Sequence, residues 1–136
     1  MAVTALPIFA QTPVFTVGQT ITTANTAKDG TGTVVLLYTA GANGSRVDAI
    51  KVRSTGTAVA TVIRIFINNG ATAATATNNS LYTEATIAST TLTEVAAQTD
   101  NSITMNISLP ATYRVYATIG TSVAAPLQVS AVGGDY

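Results

Sequence analysis

Apolar and polar residues alternate with a period of two along most of the chain, the signature of half-buried strands. Residues 103–109 (ITMNISL) are the clearest case. Ile103, Met105, Ile107 and Leu109 share one face, and Thr104, Asn106 and Ser108 share the other. Residues 59–68 (VATVIRIFIN) form the strongest strand, with Thr61, Ile63, Ile65 and Ile67 on one side and Val62, Arg64 and Phe66 on the other. Further strands are predicted over 33–40, 46–54, 81–88, 113–119 and 127–132, with one more around 14–23. In 46–54, Val47 and Ala49 share one parity and Ile50 and Val52 the other, so a bulge is expected near 49–50. GANGS at 41–45 contains Asn-Gly and predicts a hairpin between its flanking strands. Pro110-Ala111 is expected to turn the chain back in the same way. Residues 69–80 read as a small polar loop, and 90–101 as a loop or frayed edge. The sum is about eight strands and no helix beyond two turns. The fold class is therefore all-β, a single β-sandwich over 16–136, jelly-roll-like on strand count.

Composition narrows the chemistry. The 136 residues include 26 Thr and 23 Ala, and Thr suits a pleated surface. There is no His, Cys or Trp, so imidazole and thiolate chemistry are excluded and no disulfide framework exists. Six Lys+Arg balance six Asp+Glu, leaving no basic excess for nucleic acid. No apolar run approaches the length of a membrane span. The first charged residue is Lys28, so the basic start of a secretory signal is lacking. The expectation is a protein retained where it is made, with neither nucleic acid nor membrane as partner.

The candidate motifs are sparse. Asp29, Asp48, Glu84, Glu94, Asp100 and Asp135 are scattered, whereas a glycosidase needs two converging carboxylates. A Ser nucleophile would have only Lys28, Lys51 or a carboxylate as base. The expectation is no enzyme, no cofactor and no metal. Asp29-Gly30 and Asp100-Asn101 carry calcium-type oxygens but are also ordinary turn residues. Thr-x-Thr pairs recur at intervals varying from 11 to 24 residues, so they build no stacked ice-binding ladder. Arg46, Asp48, Lys51 and Arg53 cluster on one strand, as a solvated face, a charge-protected edge or a patch for an acidic neighbour. Arg64 interrupts an apolar strand. It lies either on an outer face beside Val62 and Phe66 or half-buried against a carboxylate, and an interface position fits it.

The near absence of charge is itself informative. Charged residues make up 9% of the chain, and the solvent-parity positions hold Thr, Ser, Asn and Ala. Such a surface loses little hydration when covered, and zero net charge removes repulsion between copies. Both suit a subunit of a crowded assembly. Residues 1–15 carry Leu6, Ile8, Phe9 and Phe15 with no charge, stiffened by Pro7 and Pro13. They are expected either to clamp a partner subunit or to form the first strand of the domain. Together with Arg46, Lys51, Arg53 and Arg64 they are the candidate partner-binding residues.

The runs Gly44–Ile50, Val62–Gly70, Asn79–Glu84, Leu109–Gly120 and Gly133–Tyr136 resemble small virion structural proteins of tailed bacteriophages, over about 33–136. The resemblance implies a capsid decoration (cement) protein, a β-sandwich or jelly roll bound outside the major capsid protein lattice, commonly as a trimer. The implied location is the virion capsid surface. The implied mechanism is mechanical: bridging neighbouring capsomers stabilises the head by binding linkage. The rival expectations are a phage tail or fibre module that binds a host receptor and a small lectin-like domain. The sequence shows neither fibre repeats nor Trp.

Overall fold

The structure, a computed structural model, describes residues 9–136. Nine strands are found there: β1 (Thr12–Phe15), β2 (Thr20–Ile21), β3 (Val35–Thr39), β4 (Ser45–Ser54), β5 (Thr61–Asn68), β6 (Asn79–Ile87), β7 (Asn101–Leu109), β8 (Arg114–Ile119) and β9 (Leu127–Asp135). They form two antiparallel sheets. One runs β1-β9-β4-β7, with β2 also on β9, and the other runs β3-β8-β5-β6. The core lies between them. The period-two residues of each sheet meet there: Val47, Ile50 and Val52 from β4, Ile63 and Ile65 from β5, Val115, Ala117 and Ile119 from β8, and Leu127, Val129 and Ala131 from β9. Burying a side chain of this kind contributes about 1.5–3 kcal/mol, so this stripe outweighs any surface pairing. The all-β sandwich expected from the alternation is what forms. Among the described residues the only helical element is the single 3-10 turn Ala76–Asn78.

The two predicted hairpins do not form. β3 pairs with β8, and β4 pairs with β7 and β9, so the segment around Gly41–Gly44 crosses from one sheet to the other. Pro110-Ala111 likewise leads from β7 into the opposite sheet at β8. Alternation specifies which face of a strand is buried, and a crossing to the facing sheet satisfies that face as well as a hairpin does. Among consecutive strands only β5 and β6 are neighbours in a sheet. The first strand is interrupted: β1 and β2 both pair β9, with Gly18 at φ 75 in the gap and the Thr16 hydroxyl accepting from the Ala131 amide at 2.7 Å. This break makes nine strands where about eight were expected. The β4 bulge falls between Val47 and Ala49, at Asp48, opposite Asn106 at φ 49. It keeps both Val47 and Ile50 inward. Residues 90–101 connect the sheets without a strand of their own, apart from Asn101, which opens β7.

The outer faces of the two sheets differ. On the β5 sheet, Arg64, Phe66, Asn68 and Thr118 point away from the core yet are buried. The β2–β3 segment lies over them. The Asn25 amide group donates to the carbonyls of Thr31 (2.7 Å) and Thr33 (2.8 Å), which curls this strap on itself. The Asn25 carbonyl accepts from Arg64 Nη1, and the Asp29 carbonyl accepts from Asn79. Gly30, at φ 78, sits directly on the Phe66 ring. Among the described residues no strap crosses the outer face of the β4 sheet, where the outward side chains are exposed or half-buried.

Candidate interaction surface

That uncovered face collects four of the eight residues singled out from the sequence. Directly paired residues of antiparallel strands share a face. Phe15 pairs Val132, which pairs Ala49, making a short apolar row across β1, β9 and β4. Phe15 is 60% exposed at the end of the row. To one side lies Arg46, paired with Gly134 and Ser108, and to the other lie Lys51 and Arg53, paired with Ser130 and Gln128.

The charges on this face are held in place. Arg46 Nε donates to Asp48 Oδ1 at 2.7 Å, and Arg46 Nη2 donates to Asn106 at 3.4 Å. Asp100 accepts from Lys51 Nζ at 3.2 Å and from Arg53 Nη2 at 3.0 Å. Arg53 Nη1 also donates to the Thr99 carbonyl. Three cations thus face two carboxylates, leaving one net positive charge on the face. These pairs are half-exposed and contribute little stability, about 0–1 kcal/mol each. β4 is central in its sheet, so the charges do not protect an edge; they are a solvated face with cross-strand pairing.

Arg64 is not on this surface. It sits on the outer face of the other sheet beside Val62 and Phe66, and there it is buried under the strap with its Nε bonded to Glu84 Oε1 at 2.6 Å, so the two alternatives hold together. Its guanidinium is committed within its own chain. Phe9 is 74% exposed just ahead of β1. Leu6 and Ile8 lie outside the described residues. Residues 12–15 join the sheet as its first strand, so the part of the N-terminal segment described there belongs to the domain itself.

Two further features had no clear sequence signal. Val59, Leu92 and Val95 are exposed in loops at the same end of the sandwich, tied by the bridge between Ala58 and Thr90 and by Gln98, whose side-chain amide bonds both the amide and the carbonyl of Ser54. At the opposite end, Asp135 accepts from the hydroxyls of Tyr38 and Ser45, and the Ser45 hydroxyl in turn accepts from the Gly41 amide. The Ser45 hydroxyl, then the Tyr38 hydroxyl and the Gly41 amide, hold the Asp135 carboxyl below its usual range against desolvation. Desolvation, with the Asp135 charge adding to it, pushes the Tyr38 phenol up to about 12. This cluster fastens strands together. Ser45 is fully buried, so it is not placed as a nucleophile. An open recess of about 140 Å³ is lined by Thr20, Ile21, Thr22, Thr23, Thr33 and Val35. No aromatic ring or carboxylate lines it, so it offers neither a sugar-stacking platform nor an acid–base pair. Among the described residues no cluster of three acidic side chains forms a metal site.

Comparison with protein-family models, with curated proteins and with solved structures finds no match.

Proposed function

We propose that the chain is a bacteriophage capsid decoration protein, a non-enzymatic subunit that covers and bridges the major capsid protein lattice as a homo-oligomer, with a trimer as the assembly. The observation that carries this reading is the uncovered outer face of the β4 sheet. It presents the Phe15–Val132–Ala49 row between Arg46–Asp48 and the Lys51/Arg53–Asp100 cluster, with its ions already paired. Docking such a face removes few unpaired ions from water, and the apolar row gives it an anchor. The remaining net positive charge suits an acidic neighbour.

The sheet orders add support. We read them as a jelly roll: two four-stranded sheets, with β1 and β2 together counting as one strand, joined by crossings between sheets. Viral capsid proteins use that architecture, as lectins and cupins do, so it favours the reading by analogy alone. The mechanism follows from linkage. A ligand that binds the assembled lattice better than loose capsomers raises the free energy of rupture, and symmetry repeats the gain over the shell.

The test is to image purified virions by immunogold labelling against this chain, and to compare heat-induced DNA release from particles made with and without it. Label on the head and a lower release temperature without the chain are expected. Label confined to the tail, or its absence from particles, would refute the assignment.

A further inference from the structure

The four sheet edges are unequally protected. β1 has four residues with Pro13 among them, and β2 has two. β3 has five residues, with a register shift between Leu36 and Tyr38. β7 is long, but its Met105 carbonyl accepts from the Tyr82 hydroxyl at 3.3 Å, and Asn106 at φ 49 distorts it. β6 differs. Beyond its bulge, Thr83–Ile87 pair β5 in five consecutive regular steps, from Thr83 with Ile65 to Ile87 with Thr61. That stretch holds no proline and no cation, and its one charge, Glu84, is paired with Arg64. A regular edge with none of the usual blocking devices is a template for another strand.

The chain supplies a matching segment. Residues 2–6 (AVTAL) are five uncharged residues, followed by Pro7, which lacks the amide to extend a ladder. The Gln11 amide donates to the Asp135 carbonyl, at the end of the sandwich where β6 begins. Gln11 stands beside β1, diagonally opposite β6, since β3 faces β9 and β6 faces β7. Three strand spacings, one sheet separation and four residues along β6 amount to roughly 22 Å in a straight line through the body. The five steps from Gln11 to Leu6 reach about 18 Å at full extension, so a chain cannot serve its own edge.

We propose that residues 2–6 of one copy add as a strand to the Thr83–Ile87 edge of a second copy, so that arm exchange closes the homo-oligomer. This rests on the reading of the chain as a self-associating subunit. A head-to-tail contact of this kind closes a ring when its rotation permits.

The absence of cysteine makes the test direct. Single cysteine variants at positions 2–6 are mixed pairwise with single cysteine variants at 83–86 and oxidised. Disulfides between chains are expected for one register with a period of two, and none with Gln128→Cys on the outer face of the other sheet. Deleting residues 2–6 is expected to turn the oligomer into a monomer in sedimentation, with the melting temperature of the domain within a few degrees. An oligomer that persists after the deletion, a grid without cross-links, or a full-length chain that is monomeric would overturn the proposal. Capsids enter neither measurement. Arm exchange without shell binding would therefore sink only the decoration reading.

Discussion

The Tyr38 phenol donates to Asp135 Oδ1 at 2.8 Å, joining β3 of one sheet to the end of β9 in the other. Ser45 at the start of β4 shares the same carboxylate, so one side chain holds three strands at the end where Gln11 leads into β1 and Tyr136 follows β9. Asp135→Asn is expected to lower stability by about 1–3 kcal/mol, and Tyr38→Phe by about 1 kcal/mol. Urea unfolding would measure both. An Asp135→Asn midpoint equal to that of the parent would show that the carboxylate holds nothing.

The same pair sets a pH dependence. Asp135 has its folded pKa below 3.8, so its contribution is complete above the unfolded value and is lost as pH falls through the folded one. Tyr38 is raised from 10.0 to about 12, so its contribution is complete below pH 10 and is lost as pH rises towards 12. Melting temperature should be flat from about pH 5 to 9 and fall on both sides. Tyr38→Phe should flatten the alkaline limb. Asp135→Asn should reduce the acid limb but leave part of it, because the Thr31 hydroxyl and amide also hold Asp29 low. An alkaline limb unchanged in Tyr38→Phe would assign it to another group.

Arg64 and Glu84 are paired but unequal, the first nearly buried and the second half-exposed. Removing Glu84 leaves a guanidinium under the strap with only the Asn25 carbonyl, whereas removing Arg64 leaves a carboxylate that water can reach. Glu84→Ala is therefore expected to cost more than Arg64→Met, with about 1–3 kcal/mol for the former. Thermal unfolding of the two variants decides the order, and the reverse order would contradict the account of the strap.

The fold was legible where one residue's neighbours suffice to determine its environment. Ile103, Met105 and Leu109 alternate with polar residues, and their burial follows without knowledge of the partner strand. Partner choice was not legible, because Gly41–Gly44 can turn a hairpin or cross between sheets with the same residues. Arg64 could not be assigned from its own strand, since the strap that covers it starts some 40 residues earlier, at Asn25. Asp135 was hidden for the same reason: its partners, Tyr38 and Ser45, lie more than 85 positions away. The cationic cluster on β4 was visible as a cluster. That it shares a face with Phe15 depends on the β1–β9–β4 register, which alternation does not fix.

That register supports the last prediction. Lys51 and Arg53 share the single carboxylate of Asp100, so either can be replaced without stranding a buried charge. Lys51→Glu and Arg53→Glu should each change stability by no more than about 1 kcal/mol. Both reverse the sign of the face that carries Phe15. If this face docks on an acidic partner, shell binding should weaken in either variant. The deficit should narrow as salt rises from 0.01 to 0.15 M, where the screening length falls from about 30 to 8 Å. Phe15→Ser should weaken binding with no such salt dependence, since the lost contact is apolar. Co-sedimentation with expanded shells across this salt range separates the effects. Unchanged binding in all three variants would move the contact elsewhere, and the exposed Val59, Leu92 and Val95 at the end of the sandwich would then be the next surface to substitute.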